Sequence, residues 1–360
     1  MLWTIFSGSI VGLLLGFVMQ RTRFCLTGGF RDMYVQKNNK MFYALLVAIA
    51  IQAVGIFALQ GVGFITIDNG TFPIVGTIVG SFIFGVGIIL AGGCATGTYY
   101  RAGEGLIGSW IALGFYALFA AITKFGVLAP LNERLKGFTV ANADISTSTG
   151  IPSWIWLIGL IAITTFFVVK TLRKPKPTIA IPKLKQRYTG IRHLLFERRY
   201  HPFVAAIAVG LIAMIAWPMS SSTGREGGLG ITTPSAHIVK FLTSGDTSAL
   251  DWGVFLVLGI FVGSYIAAKG SHEFKWRLPD VKTIRNSAIG GTCMGFGAAI
   301  AGGCSIGNGL VATAALSWQG WIGLASMILG TWFMSYFLFV KPLREARRQS
   351  QSVRAQSVNA

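Results

Sequence analysis

The segment at residues 80–97, GSFIFGVGIILAGGCATG, returns at residues 290–307 as GGTCMGFGAAIAGGCSIG. Aligned without a gap, Gly80, Gly85, Gly87, Ala91, Gly92, Gly93, Cys94 and Gly97 fall on Gly290, Gly295, Gly297, Ala301, Gly302, Gly303, Cys304 and Gly307. A chain with such an internal repeat folds as two related halves. Each copy is an apolar run that ends in a Gly-Gly-Cys turn. Missing side chains there let backbone approach a ligand, and the thiol is the soft, reactive group.

The apolar runs are those of a membrane protein. Hydrophobic residues make up 53% of the chain and charged residues only 12%, a balance that excludes an ordinary soluble domain. Runs of about 20 apolar residues, long enough to cross a bilayer, lie near 2–20, 41–64, 72–93, 105–125, 152–169, 202–219, 251–268, 287–302 and 316–340. The expectation is therefore an all-α integral membrane protein with nine transmembrane helices.

A net charge of +19 could point to nucleic acid, but the placement of the charges argues for a lipid bilayer instead. With the N-terminus outside, the inner segments hold Arg21, Arg23, Arg31, Lys37 and Lys40, then Arg101, then the basic stretch 170–199. Further inner charges are Lys269, Lys275, Arg277, Lys282, Arg285 and those of the C-terminal tail, whereas the outer segments hold only Arg134, Lys136, Arg225 and Lys240. This positive-inside asymmetry predicts a periplasmic N-terminus and a cytoplasmic C-terminus in a bacterial inner membrane. The first run is too long for a signal-peptide core and is followed by basic residues rather than a small-residue cleavage site, so it stays as a span.

Cys94 closes the third run and Cys304 the eighth. An odd number of crossings separates them, so the two copies lie oppositely in the membrane. We expect residues 1–125 to form the first repeat and 201–342 the second, inverted one. Residues 126–200 would supply a linker helix and a basic cytoplasmic connector with Pro175, Pro177 and Pro182, and 343–360 a basic, disordered cytoplasmic tail. The outer connections 131–150 and 220–250 have room for short helices or re-entrant pieces. Inverted repeats place a substrate site near the bilayer midplane, where discontinuous helices meet.

Gly92, Gly93 and Cys94, with Gly302, Gly303 and Cys304, are accordingly the central candidates. Broken helix at membrane depth is tolerated only where it lines a cavity or is buried in protein, and its freed N–H groups suit an anion. The competing explanation is close helix packing by glycine, with inert cysteines; two copies in matched positions favour a site. A third pattern, QRTRFCLTGGFR at residues 20–31, sets Cys25 among Arg21, Arg23 and Arg31 ahead of a glycine pair. Arginine attracts anions and lowers a thiol pKa; for Arg31, membrane anchoring is the simpler role.

The motifs RFCLTGGF at 23–30, AGGCATG at 91–97 and AGGCSIGNG at 301–309 resemble the YeeE/YedE sulfur-transport family of bacterial inner-membrane proteins, which includes thiosulfate uptake transporters. The resemblance implies two pseudo-symmetric halves with short re-entrant helical loops. It also implies that Cys25, Cys94 and Cys304 hand thiosulfate along a narrow path by S–H to sulfur contacts, and that a small cytoplasmic sulfur-carrier protein works downstream. Cys293 aligns with Ile83 and reads as structural. In a continuous helix it would lie about 16 Å from Cys304, too far for a disulfide.

The second half lacks a cysteine matching Cys25. Its SSSTGREGG segment at 220–228 carries Arg225, which could draw an anion to the outer mouth. Arg101 and Glu104 are close enough in sequence to pair with each other. His193, His201, His237 and His272 have no ligand spacing, so no metal or cofactor is expected, and without a P-loop no ATP hydrolysis. The function expected is uptake of thiosulfate or a similar sulfur oxyanion. Other cargoes compatible with the motifs are a selenium compound, sulfite or sulfide. A membrane thiol sulfurtransferase or oxidoreductase would need a partner thiol within bonding distance, and the sequence has no Cys-x-x-Cys pair.

Overall fold

The computed structural model describes residues 1–67, 70–141, 143–173, 188–198, 200–225 and 227–358. Of the basic connector, residues 174–187 and Arg199, and with them the three prolines, lie outside the described residues. The fold is almost wholly helical. The first half contains α1 (Leu2–Thr22), α2 (Leu26–Val35), α3 (Lys40–Gly61), α4 (Ile74–Leu90), α5 (Ala95–Gly103) and α6 (Ile107–Phe125). Short α7 (Ala129–Lys136) and α8 (Ile145–Thr149), the long α9 (Ser153–Leu172) and the single turn α10 (Gly190–Arg192) follow. The second half contains α11 (Pro202–Ser221), α12 (Thr232–Ser244), α13 (Trp252–Gly270), α14 (Val281–Ile300), α15 (Trp318–Ser335) and α16 (Lys341–Val358). Phe72–Pro73 and Thr139–Val140 form a two-residue antiparallel pair.

The helices pack in reciprocal pairs. α1 lies on α13 as α3 lies on α11; α6 lies on α14 as α15 lies on α4; α12 touches α6 as α2 touches α15. α4 and α14 cross each other at the centre. A Cβ on Gly80 would sit 2.6 Å from Gly297 O, and one on Gly87 would sit 2.8 Å from Gly290 O. In the alignment Gly290 is the mate of Gly80 and Gly297 the mate of Gly87, so each glycine meets the counterpart of the other. A two-fold pseudo-axis passes through this crossing. Here the packing role of glycine is correct: bare backbone brings the two repeat helices into contact.

Among the described residues eight helices are long and apolar enough to cross a membrane, one fewer than the nine expected. The helix that falls short is α14. At 20 residues it has the length, but its first turns carry Lys282 and Arg285 and much of the remainder is glycine and alanine. Packed between α4 and α6 and largely buried over its second half, it has little need there of large apolar side chains to face lipid. α9 shows the opposite pattern: Trp154, Ile158, Ile163 and Phe166 are exposed, and it rests on α3 through a stacked Tyr43–Phe167 pair with ring centroids 4.9 Å apart. Such exposed apolar surface needs lipid around it. The tail is a helix rather than a disordered strand of charge, since α16 runs on from α15 and is rich in Arg, Gln and Ala, all good helix formers. The connections 131–150 and 220–250 do hold short helices, α7 and α8 in one and α12 in the other.

Candidate functional site

Both Gly-Gly-Cys segments break a long helix. α4 ends at Leu90, Gly92 turns the chain with φ 70°, and Cys94, extended at φ −73° and ψ 177°, opens α5. In the second copy Gly302 takes φ 75°, and Cys304 leads into a π-helical turn at Gly307–Ala312. Only glycine adopts this left-handed conformation without strain. The turns are held by different donors. Arg101 Nη1 donates to Gly92 O. In the second half Asn308 Nδ2 donates to Ala301 O at 2.9 Å, and Gln319 Nε2 to the same oxygen at 3.1 Å. Cys94 and Cys304 are both fully buried.

Cys25 arrives by a similar device. α1 stops at Arg23, which takes φ 53°, and Cys25 in extended backbone opens α2. Its sulfur and that of Cys94 flank Gly97: a Cβ there would lie 3.4 Å from Cys94 Sγ and 3.9 Å from Cys25 Sγ. On its other side the Cys94 thiol meets Ser305, the residue after Cys304. Cys25, Cys94 and the Cys304-Ser305 step thus form one buried line drawn from three distant segments. The amides of Gly28 and Gly97 lie beside the Cys25 and Cys94 sulfurs, yet neither cysteine closes a cap hydrogen bond. The buried hydroxyl of Thr96 has no hydrogen-bond partner among the described residues, and those of Thr27 and Ser305 have only the neighbouring thiols of Cys25 and Cys94 beside them. Each such group costs about 1–3 kcal/mol unless water or a ligand satisfies it. The line is therefore supplied with unspent donors.

At one end the line opens into a cavity of about 410 Å³. Cys304, Gly302, Gly303, Asn308 and Gln319 form one wall, and Arg225, Trp217 and the first turn of α12 face them. Arg225 is held by Asp251, with Nε 3.9 Å from Oδ2, and its guanidinium lies 5.7 Å from the Trp252 ring centroid. Burial pushes the Arg225 pKa down while Asp251 opposes it; a guanidinium stays charged throughout. Burial alone would raise the Asp251 carboxyl, but His237, with Nδ1 3.5 Å away, and Arg225 together hold it below its ordinary value. Trp217, a buried side chain, lines this cavity, and its indole N–H has no hydrogen-bond partner among the described residues.

At the other end stands a cluster of ion pairs. Arg23 Nη1 donates to both carboxylate oxygens of Glu104 at 2.7 Å, and Nη2 to Glu273 at 2.8 Å. Gln20 also donates to Glu273 at 2.8 Å. Arg21 reaches Glu273 at 3.8 Å and donates Nε to Leu195 O at 2.9 Å, which ties the connector to α1. Arg21 and Arg23 are thus spent on acidic and backbone partners rather than presented as free cations. The expected Arg101–Glu104 pair does not form, because the end of α5 aims Glu104 at Arg23 and Arg101 folds back on the glycine turn. Glu104 is 2% exposed, and burial raises its pKa against the pull of Arg23. Arg31 pairs with Asp32. Cys293 is half-buried on α14.

Sequence reasoning missed Trp217, Gln319, Asn308 and the hydroxyl next to each thiol. Of these only the serine and threonines carried a signal, since Thr27 and Thr96 each follow a cysteine by two residues and Ser305 follows one directly. Broken helices meeting between two inverted halves, with a buried polar line through them, define a membrane transport protein. The profile of the Sulphur transport family matches residues 21–333, and the chain belongs to that family. It is 57% identical over 343 residues to the thiosulfate transporter TsuA of Escherichia coli (strain K12), an alignment covering 95% of this chain and 97% of that protein. It is 33% identical over 354 residues to a thiosulfate transporter TsuA of Spirochaeta thermophila, covering 94% and 99%. A protein named probable transporter YedE, from Escherichia coli (strain K12), is 36% identical over 106 residues, 29% of this chain and 26% of its own length.

Proposed function

We propose that this chain carries thiosulfate into the cell across the bacterial inner membrane, with the Arg225 cavity facing the periplasm and the Arg23 cluster the cytoplasm. The observation that carries the reading is the buried line from Cys304 through Ser305 and Cys94 to Cys25, open at one end and latched at the other. Both relatives aligned over nearly their full length are named thiosulfate transporters.

Thiosulfate joins a soft terminal sulfur to hard oxygens. The oxygens suit Arg225, the Trp217 N–H and the amides near Gly302 and Gly303, while the sulfur accepts from a thiol S–H. The ion passes from Cys304 to Cys94, past the turn at Gly92 and Gly93, and then to Cys25. The thiols work protonated, because three thiolates would repel a dianion. Release then requires the Arg23–Glu104 contact to part, and the arriving charge competes with Glu104 for Arg23. A small cytoplasmic sulfur-carrier protein receives the ion on that side. The division of the chain at 1–125, 126–200 and 201–342 follows the repeat and its connector, and α14 crosses the membrane as the mate of α4.

The test is uptake of radiolabelled thiosulfate by cells lacking other sulfur-oxyanion transporters, with competition by sulfite, sulfide and selenium oxyanions. Cys25→Ala, Cys94→Ala and Cys304→Ala each reduce uptake about tenfold or more at matched membrane expression, and Cys293→Ala leaves it near wild type. Wild-type cells that take up no thiosulfate overturn the cargo, and transport that survives all three substitutions overturns the relay.

A further inference from the structure

We propose that a second site, specific for a tetrahedral oxyanion, lies between Arg101 and Arg277 on the cytoplasmic side, bordering the Gly92 turn. A cavity of about 280 Å³ opens there, bounded by Gly92, Arg101, Ser109, Arg277, Thr283 and Ser287 among others. Arg277 is fixed by its backbone: its N–H donates to Gly105 O at 3.0 Å, and its carbonyl accepts from Ile107 N–H at 3.2 Å. That ladder pins the loop before α14 to the junction of α5 and α6, so two arginines from distant segments face one space.

The chemistry of the wall selects an anion. Arg21, Arg23, Arg31 and Arg225 all have carboxylate partners, whereas Arg101 and Arg277 pair with no carboxylate among the described residues. Arg101 has five N–H donors; it gives one to Gly92 O and meets the Tyr100 hydroxyl, leaving others for a ligand. The hydroxyls of Ser109 and Ser287, both on buried side chains, come from α6 and α14 and find no hydrogen-bond partner among the described residues. Thr283 does not add to this supply, because its hydroxyl donates to Asp280. Two guanidinium groups without a carboxylate ion pair and two unspent hydroxyls match an oxyanion with several acceptor oxygens.

Two ligands share that chemistry. One is thiosulfate leaving the transport line, since Gly92 borders this cavity as its repeat mate Gly302 borders the outer one. The other is the phosphate of an anionic phospholipid. Trp276, Leu278 and Val281 beside the site are 65%, 86% and 82% exposed, which suits the depth of lipid headgroups.

The first ligand rests on the transport reading and the second does not, so the experiment has an arm for each. Full-length protein is placed in proteoliposomes of phosphatidylcholine, and the concentration of thiosulfate giving half-maximal flux is measured from each face. It is also purified from cells and analysed by native mass spectrometry for retained phosphatidylglycerol. If thiosulfate is the ligand, Arg277→Gln raises the half-saturating concentration at the cytoplasmic face about tenfold, the loss of a charge-assisted contact, and leaves the periplasmic value unchanged. If lipid is the ligand, wild type retains phosphatidylglycerol and Arg277→Gln does not. The doubly substituted Ser109→Ala, Ser287→Ala protein shows the same pattern more weakly, and decides the matter if Arg277→Gln fails to insert. Unchanged cytoplasmic half-saturation together with unchanged lipid retention in both proteins overturns the site. Wild-type vesicles that carry no thiosulfate overturn the transport reading alone, and the lipid arm still judges this cavity.

Discussion

Arg23 and Glu104 lie 81 residues apart, yet a single guanidinium nitrogen of Arg23 stands 2.7 Å from both oxygens of Glu104. Arg23 precedes Cys25 by two positions, and Glu104 caps the helix that Cys94 begins. The latch therefore joins the two segments that carry the inner pair of thiols. In Glu104→Gln the contact loses its charge. In inside-out membrane vesicles, Cys25 should then react several-fold faster with a membrane-impermeant maleimide than in wild type. A charge-exchanged protein, Arg23→Glu with Glu104→Arg, should bring the rate back down. Equal labelling of all three would mean that the pair does not close the path.

Acidity should act on the same contact. The groups facing Glu104 are Arg23, Arg101 and Glu273, and burial raises its carboxyl pKa in spite of the two cations. A raised carboxyl binds its proton more tightly folded than unfolded. The contribution to folding stability is then fully present below the unfolded value of about 4.3 and declines as pH rises through the folded one. Wild type should accordingly gain thermal stability relative to Glu104→Gln as pH falls from neutral toward that window. Thermal unfolding of both proteins across that range checks the sign.

At the open end, Arg225→Gln should raise the thiosulfate concentration for half-maximal uptake about tenfold and reduce its dependence on ionic strength. Trp217→Phe, which removes the N–H and keeps most of the ring, should cost about two- to tenfold. Asp251→Asn loosens the hold on Arg225 and should fall between wild type and Arg225→Gln. Uptake kinetics at two salt concentrations separate these cases.

The two turn glycines should differ in tolerance. Alanine at either position takes on left-handed strain of about 1–2 kcal/mol. At Gly302 the new Cβ would also lie 2.7 Å from Gln319 Nε2, whereas at Gly92 the nearest atom is Arg101 Nη1 at 3.8 Å. Gly302→Ala should be the less stable protein and the poorer transporter, measured by thermal unfolding and uptake on matched preparations.

Much of this was legible in the residues because the repeat is written in glycine and cysteine, whose roles are geometric and local. The broken helices at Cys94 and Cys304 follow from that pattern, as does the opposed arrangement of the two copies. Partner choice was not legible. Glu104 reads as the mate of Arg101 three residues away until α5 turns it toward Arg23. α14 reads as an ordinary span until its burial among helices accounts for its small residues. Trp217 on an apolar helix reads as core, and only the fold shows it lining a cavity with its N–H unpartnered among the described residues. The helical tail was hidden by composition, since charge suggests disorder while Arg, Gln and Ala favour helix.

The reciprocal crossing of α4 and α14, with α1 seated on α13 and α11 on α3, means that neither repeat is a folding unit by itself. Each long helix of one half finds much of its packing in the other, so a ribosome that has made only the first half has delivered helices still waiting for their mates. Two fragments cut at the connector should assemble into a working protein only when made together, and a fragment made alone should be cleared by proteolysis.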